Sequence, residues 1–160
     1  MKKYLIVGLE SSVTKALSRI VARNLEIKGH QRYDGNYSIS DNNFLVQHYS
    51  LPYGRKPNRN YPSIIENEWD FILICNRDFY CSLNSKIKKH TRGNKEVAIQ
   101  QHKKGSDILR QVAQFENVYF FSYESWFILK DIYLQKFLKS VNINYNHPAI
   151  AKDINLKYIK

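Results

Sequence analysis

Cysteine is nearly absent from the chain: two in 160 residues, Cys75 inside an apolar run and Cys81 just beyond it. Their spacing is neither CxxC nor that of zinc ligands, so no metal and no disulfide framework is expected. Both read as reduced thiols of a cytoplasmic protein. Long apolar runs are missing too. No stretch approaches the ~20 apolar residues of a membrane helix, which excludes a membrane span by this route. The opening Met1-Lys2-Lys3 and the apolar run behind it imitate a signal peptide, but residues 4–9 are too few for its apolar core and no small-residue cleavage site follows. Acidic residues are few: 14 Asp and Glu stand against 25 Lys and Arg, a formal net charge of +11. Such a balance favours anionic partners, whether a nucleotide, a sulfated or phosphorylated glycan, nucleic acid or an acidic membrane surface. No internal repeat or low-complexity tract is present.

What the chain does contain is enough apolar and aromatic material for one core. Hydrophobic residues make up 43% and aromatics 14%, with 12 Tyr and 8 Phe, which argues against disorder. The length fits a single domain over residues 1–160, with 142–160 as a less regular tail. Residues 3–9 form a short apolar strand. Residues 13–27 follow with helical periodicity: Val13, Leu17, Ile20, Val21, Leu25 and Ile27 on one face, Lys15, Arg19 and Arg23 on the other. Gly29 is placed to cap that helix. Residues 30–43 are polar, with turn signals at Asp34-Gly35-Asn36 and Asp41-Asn42-Asn43. A second strand spans 44–48, and a basic, Tyr-rich loop runs over 50–62. The continuous apolar run 71–75 has the pattern of a parallel strand covered on both faces. Helices are expected from about Asp78 and over 96–115, another strand over 118–121, and an amphipathic helix over 124–141. That last helix offers Trp126, Phe127, Leu129, Ile132, Tyr133, Phe137 and Leu138 to the core. Strands alternating with helices indicate an α/β fold, a doubly wound parallel sheet with helices on both faces and ligands at the carboxyl ends of the strands.

Three such strand ends carry polar chemistry. The first is Gly8-Leu9-Glu10-Ser11-Ser12-Val13-Thr14-Lys15, a hydroxyl-rich turn feeding a helix. A helix N-terminus aims free N–H groups at one point and adds about half a positive charge, so the turn suits a phosphate or sulfate. Compared with the Walker pattern, Gly8 fits but Val13, Thr14 and Lys15 stand where Gly, Lys and Ser or Thr are needed, which makes an ordinary NTPase a weak match. The second is Cys75-Asn76-Arg77-Asp78, with Ser85 eight residues after Arg77. An Arg fork and a Ser hydroxyl together suit a phosphate. The third is Phe121-Ser122-Tyr123-Glu124-Ser125-Trp126, where Ser122 is also a good helix cap.

Taken in order, these segments resemble the sulfotransferase family that uses 3′-phosphoadenosine 5′-phosphosulfate. The family's phosphosulfate loop reads P-K-S-G-T-T. Here Ser12 and Thr14 match its Ser and first Thr, Ser11 replaces its Lys, Val13 replaces its Gly, and Lys15 carries a charge at the next position. Arg77 and Ser85 resemble its 3′-phosphate site, and Tyr123-Glu124 its Y-E-D-L strand end. The resemblance spans residues 3–141. It implies a P-loop-like architecture and a sulfuryl transferase in which Ser11, Ser12, Val13, Thr14 and Lys15 hold the phosphosulfate, Arg77 and Ser85 hold the 3′-phosphate, and Tyr123 lines the nucleotide pocket. The acceptor would be a hydroxyl, most naturally on a carbohydrate, an acidic glycan among them.

Such a reaction needs a proton acceptor. Some family members read T-H-L-P near the end of the second strand, and this chain has His48-Tyr49-Ser50-Leu51-Pro52. Histidine titrates near neutrality, so His48 is the candidate base, with Lys15 beside it in the catalytic set. The basic residues Lys86, Lys88, Lys89, Arg92, Lys95, Lys103 and Lys104 form either a second anion surface or a solvated face. A nucleotide or polynucleotide kinase, a non-catalytic nucleotide-binding module, nucleic-acid binding and oligomerisation all stay open at this level. Were residue 13 helical, Val13→Gly would lower stability by about 0.5–1 kcal/mol.

Overall fold

Tyr4, Leu5, Ile6 and Val7 are all wholly buried. A strand with both faces covered must lie inside a sheet between helices, and that is where the chain places it. The structure, a computed structural model, describes residues 1–10, 12–28, 38–52 and 68–149. Its strands are β1 (Lys2–Leu9), β2 (Ser38–Ser40), β3 (Phe44–Leu51), β4 (Phe71–Asn76) and β5 (Val118–Ser122). Its helices are α1 (Thr14–Asn24), α2 (Phe79–Lys89), α3 (Lys95–Val112) and α4 (Tyr123–Ser140). The sheet order is β2-β3-β1-β4-β5. All pairings are parallel except the short β2 with β3.

Side-chain alternation along β1 divides the core in two. Tyr4 and Ile6, with Leu73 and Phe121, meet Leu17 and Val21 of α1 and Trp126, Leu134 and Phe137 of α4. Leu5 and Val7, with Ile72 and Ile74, meet Leu109 and Val112 of α3 on the opposite face. The chain leaves β1 for β3 on one side and later returns to β4 on the other. The topological switch therefore falls between β1 and β4, and a crevice forms outside their carboxyl ends. Gly8 keeps those ends close: a Cβ there would collide with the Ser12 hydroxyl and come within 2.8 Å of the Cys75 carbonyl.

Local signals account for most element ends. Asp78, Asn94 and Ser122 cap α2, α3 and α4, accepting from the backbone N–H groups of Cys81, Val97 and Ser125 at 2.8, 3.0 and 3.1 Å. Four expectations are corrected. The polar stretch before Phe44 includes the antiparallel strand β2, which three residues of mixed exposure give no periodicity to reveal. Leu129 and Ile132 are exposed rather than in the core, the latter at 64%. At about 100° per residue Ile132 falls off the stripe through Trp126, Tyr133 and Phe137, and Lys130 interrupts the helix with φ 50° and ψ −127°. Lys86 is not on a solvated face but wholly buried. The first helix stops at Asn24, with Leu25 as its C-cap. Gly29, Ser11, the loop from Tyr53 to Pro62 and the tail from Ile150 lie outside the described residues. No described helix is long and apolar enough to cross a membrane.

Candidate anion site at the β1 and β4 strand ends

The turn after β1 enters α1 through Val13, which has φ 65° and ψ 15° and offers the helix no side-chain cap. This is the left-handed region, costly for a β-branched residue. The backbone thus adopts at position 13 the conformation for which a loop glycine is ordinarily used. The sign of the Val13→Gly expectation reverses accordingly. Relief of about 1–3 kcal/mol of strain outweighs the roughly 1 kcal/mol lost with a half-buried isopropyl group. The melting temperature is expected to rise by about 2–4 °C in a calorimetric scan. A fall would mean that the Val13 side chain contributes more by packing than it costs in strain.

Behind the turn, Ser12 is 2% exposed, and its hydroxyl has no hydrogen-bond partner among the described residues. An unsatisfied buried hydroxyl is costly unless something else occupies its bonding positions. The hydroxyl is turned against Gly8, while Ser12 as a residue lines a cavity of about 370 Å³ together with Leu9, Asn76, Arg77, Ser82 and Arg110. Phe120, on the edge strand β5, is 63% exposed and forms part of the same wall.

Arg77 follows β4 directly and is buried, its guanidinium 5.5 Å from the centre of the Tyr123 ring. The Asp78 N–H donates to Glu124 Oε1 at 2.9 Å. The second and third polar segments therefore meet at the ends of β4 and β5, with Arg77 held against Tyr123. Ser85 is wholly buried in α2 and is not among the cavity-lining residues. Ser82, one turn earlier, lines the cavity and donates to the Glu10 carbonyl at 3.0 Å.

On the other side of the turn, the Thr14 and Ser50 hydroxyls are hydrogen-bonded at 2.7 Å, which joins the start of α1 to the end of β3. His48 is buried opposite Ile6 in the sheet register. Burial, with the positive charges of Lys15 and Arg19, pulls its imidazole down to about 4. It is neutral at pH 7 and sits in the electrostatic reach of Lys15, which is exposed on α1, and neither residue is among those lining the cavity.

Sequence reasoning overlooked a buried polar cluster under the turn. Lys86 Nζ lies 2.6 Å from Glu10 Oε2, and Ser82 Oγ is 3.4 Å from His102 Nε2. Burial, with the Lys86 charge, lowers the His102 imidazole. Helical spacing was the available signal: Cys81, Ser82, Ser85 and Lys86 share one face of α2, but Lys86 was hidden within a run of cations. Both cysteines are buried and unbridged. Among the described residues no group of three or more His, Cys, Asp or Glu side chains is placed to hold a metal ion. The chain matches no family model, no curated protein and no solved structure.

Proposed function

We propose that the chain binds 3′-phosphoadenosine 5′-phosphosulfate across the carboxyl ends of β1 and β4 and transfers its sulfuryl group to a hydroxyl, on a carbohydrate in the first instance. The observation that carries this reading is that Ser12, with its buried unpartnered hydroxyl, Arg77 and Ser82 all line one cavity beside the ends of β1 and β4, at a turn whose Val13 has the backbone of a loop glycine. The resemblance of the three strand-end segments supplies the identity of the donor.

In this reading Ser12, Thr14 and Lys15, with the adjoining Ser11 and Val13 backbone, hold the phosphosulfate. Arg77 grips the 3′-phosphate from its perch on Tyr123, and Ser82 stands closer to the cavity than Ser85 for the hydroxyl role. The sulfur–oxygen bond to the phosphate breaks as one to the acceptor oxygen forms. The acceptor's proton passes to a neutral imidazole, His48, and adenosine 3′,5′-bisphosphate leaves. A nearby bound anion offsets the Lys15 charge and so raises the basicity of His48.

The test is direct. Sulfuryl transfer from the labelled donor to a panel of oligosaccharides is measured, and calorimetry compares adenosine 3′,5′-bisphosphate with magnesium ATP as ligands. Transfer with preference for the bisphosphate is expected. Tighter binding of magnesium ATP, with phosphoryl transfer, would replace this reading with a kinase.

A further inference from the structure

A wholly buried lysine is rare, and taking an ion pair out of water costs several kcal/mol per ion unless the geometry compensates. Lys86 is such a residue, with 0% of its side chain exposed, yet it lies under the turn that the proposed function assigns to an anion. Its partner, Glu10, is the first residue after β1, and its side chain is 10% exposed. Neither residue lines the cavity itself, and a carboxylate beside an anion site repels the ligand, so the pair needs an explanation beyond stability.

The arrangement around it gives one. Ser82 and Lys86 are four residues apart on α2, so they lie one above the other on the same face. Ser82 lines the cavity and fixes the Glu10 backbone through its 3.0 Å bond to that carbonyl. Ser12, two residues beyond Glu10, lines the same cavity, and its unpartnered hydroxyl is buried against Gly8. The solvent-reachable member of the pair is the carboxylate. An anion that displaces it meets Lys86 Nζ at the end of a flexible four-carbon stem, in surroundings where a charge-assisted hydrogen bond is strong.

We propose that Lys86 is the cation of the anion site, held in reserve by Glu10: an oxyanion bound at the Ser12 turn takes the Lys86 ammonium from the Glu10 carboxylate, which swings outward. The inference rests on reading the turn as an anion site. It does not depend on which nucleotide the chain uses.

The test is calorimetric titration of the full chain with inorganic pyrophosphate and, separately, adenosine 3′,5′-bisphosphate, in the wild type, Lys86→Met and Glu10→Gln. Lys86→Met is expected to weaken pyrophosphate binding about 10- to 100-fold, the scale of one charge-assisted hydrogen bond. Glu10→Gln is expected to strengthen it about tenfold, because Nζ is no longer held by a carboxylate. Tighter binding is an outcome that structural damage does not produce, so Glu10→Gln decides the matter even if Lys86→Met fails to fold. Unchanged or weaker binding in Glu10→Gln overturns the proposal, as does a wild type that does not bind pyrophosphate. Failure of the sulfotransferase reading looks different: pyrophosphate responds to Glu10→Gln as expected, but the bisphosphate binds no better than AMP.

Discussion

Adenosine 3′,5′-bisphosphate at about 100 times its dissociation constant is expected to stabilise the fold by about 2.7 kcal/mol, a rise in melting temperature of roughly 5–10 °C for a domain of this size. AMP at the same concentration, lacking the 3′-phosphate, is expected to shift it far less. Arg77→Ala is expected to erase most of the difference between the two nucleotides. The reason is geometric. Arg77 is the first residue beyond β4, buried, with its guanidinium over the Tyr123 ring, so its fork is already oriented before a ligand arrives. A preorganised bidentate contact to phosphate loses little entropy on binding and discriminates strongly. Thermal scans of wild type and variant with both nucleotides give the answer. Equal shifts from AMP and the bisphosphate in the wild type would remove the 3′-phosphate from the ligand and with it the sulfate donor.

The second large effect belongs to His48. Its imidazole is held at about 4 in the folded chain, against about 6.5 when unfolded. Between those values the unfolded chain binds more protons, so stability rises with pH there. The contribution is complete above about pH 6.5 and is lost as pH falls towards 4, by about 3 kcal/mol in all. His102 is lowered as well and adds in the same direction. Urea unfolding at pH 7.5 and pH 4.5 is expected to show the loss in the wild type and a much smaller one in His48→Gln, which keeps a polar group but cannot be protonated. An equal loss in both would place the acid sensitivity elsewhere. The same low value predicts that, if His48 accepts the acceptor's proton, the acid limb of kcat/KM for the free enzyme lies near pH 4 to 5 rather than at the usual imidazole value.

Strands and helices were legible because their signals are local. The apolar run at 71–75 has the pattern of a covered strand, and Asp78 and Ser122 announce the helices that they cap, since each bonds a backbone N–H three residues ahead. The alternation of these elements implied an α/β sheet, and the observed five strands, four of them parallel neighbours in series, have that character. Strand ends as places for polar chemistry were equally legible, because parallel strands send their carboxyl ends to one side.

What no local signal carries is which side chains meet across the sheet. Glu10 and Lys86, 76 positions apart in sequence, come within 2.6 Å only because α2 begins at the end of β4, next to β1. In sequence Lys86 is one cation among many, while in the fold it is wholly buried and Lys88 and Lys89, at the end of the same helix, are exposed. Position 13 shows the same division. Composition marks valine as a poor residue for a tight turn, but the left-handed backbone is imposed by the strand on one side and α1 on the other. Residue type, charge and periodicity were set by the chain itself. Burial, pairing and the shift of His48 arise from long-range contacts, because desolvation and Coulomb energies depend on distance in space and not on separation along the sequence.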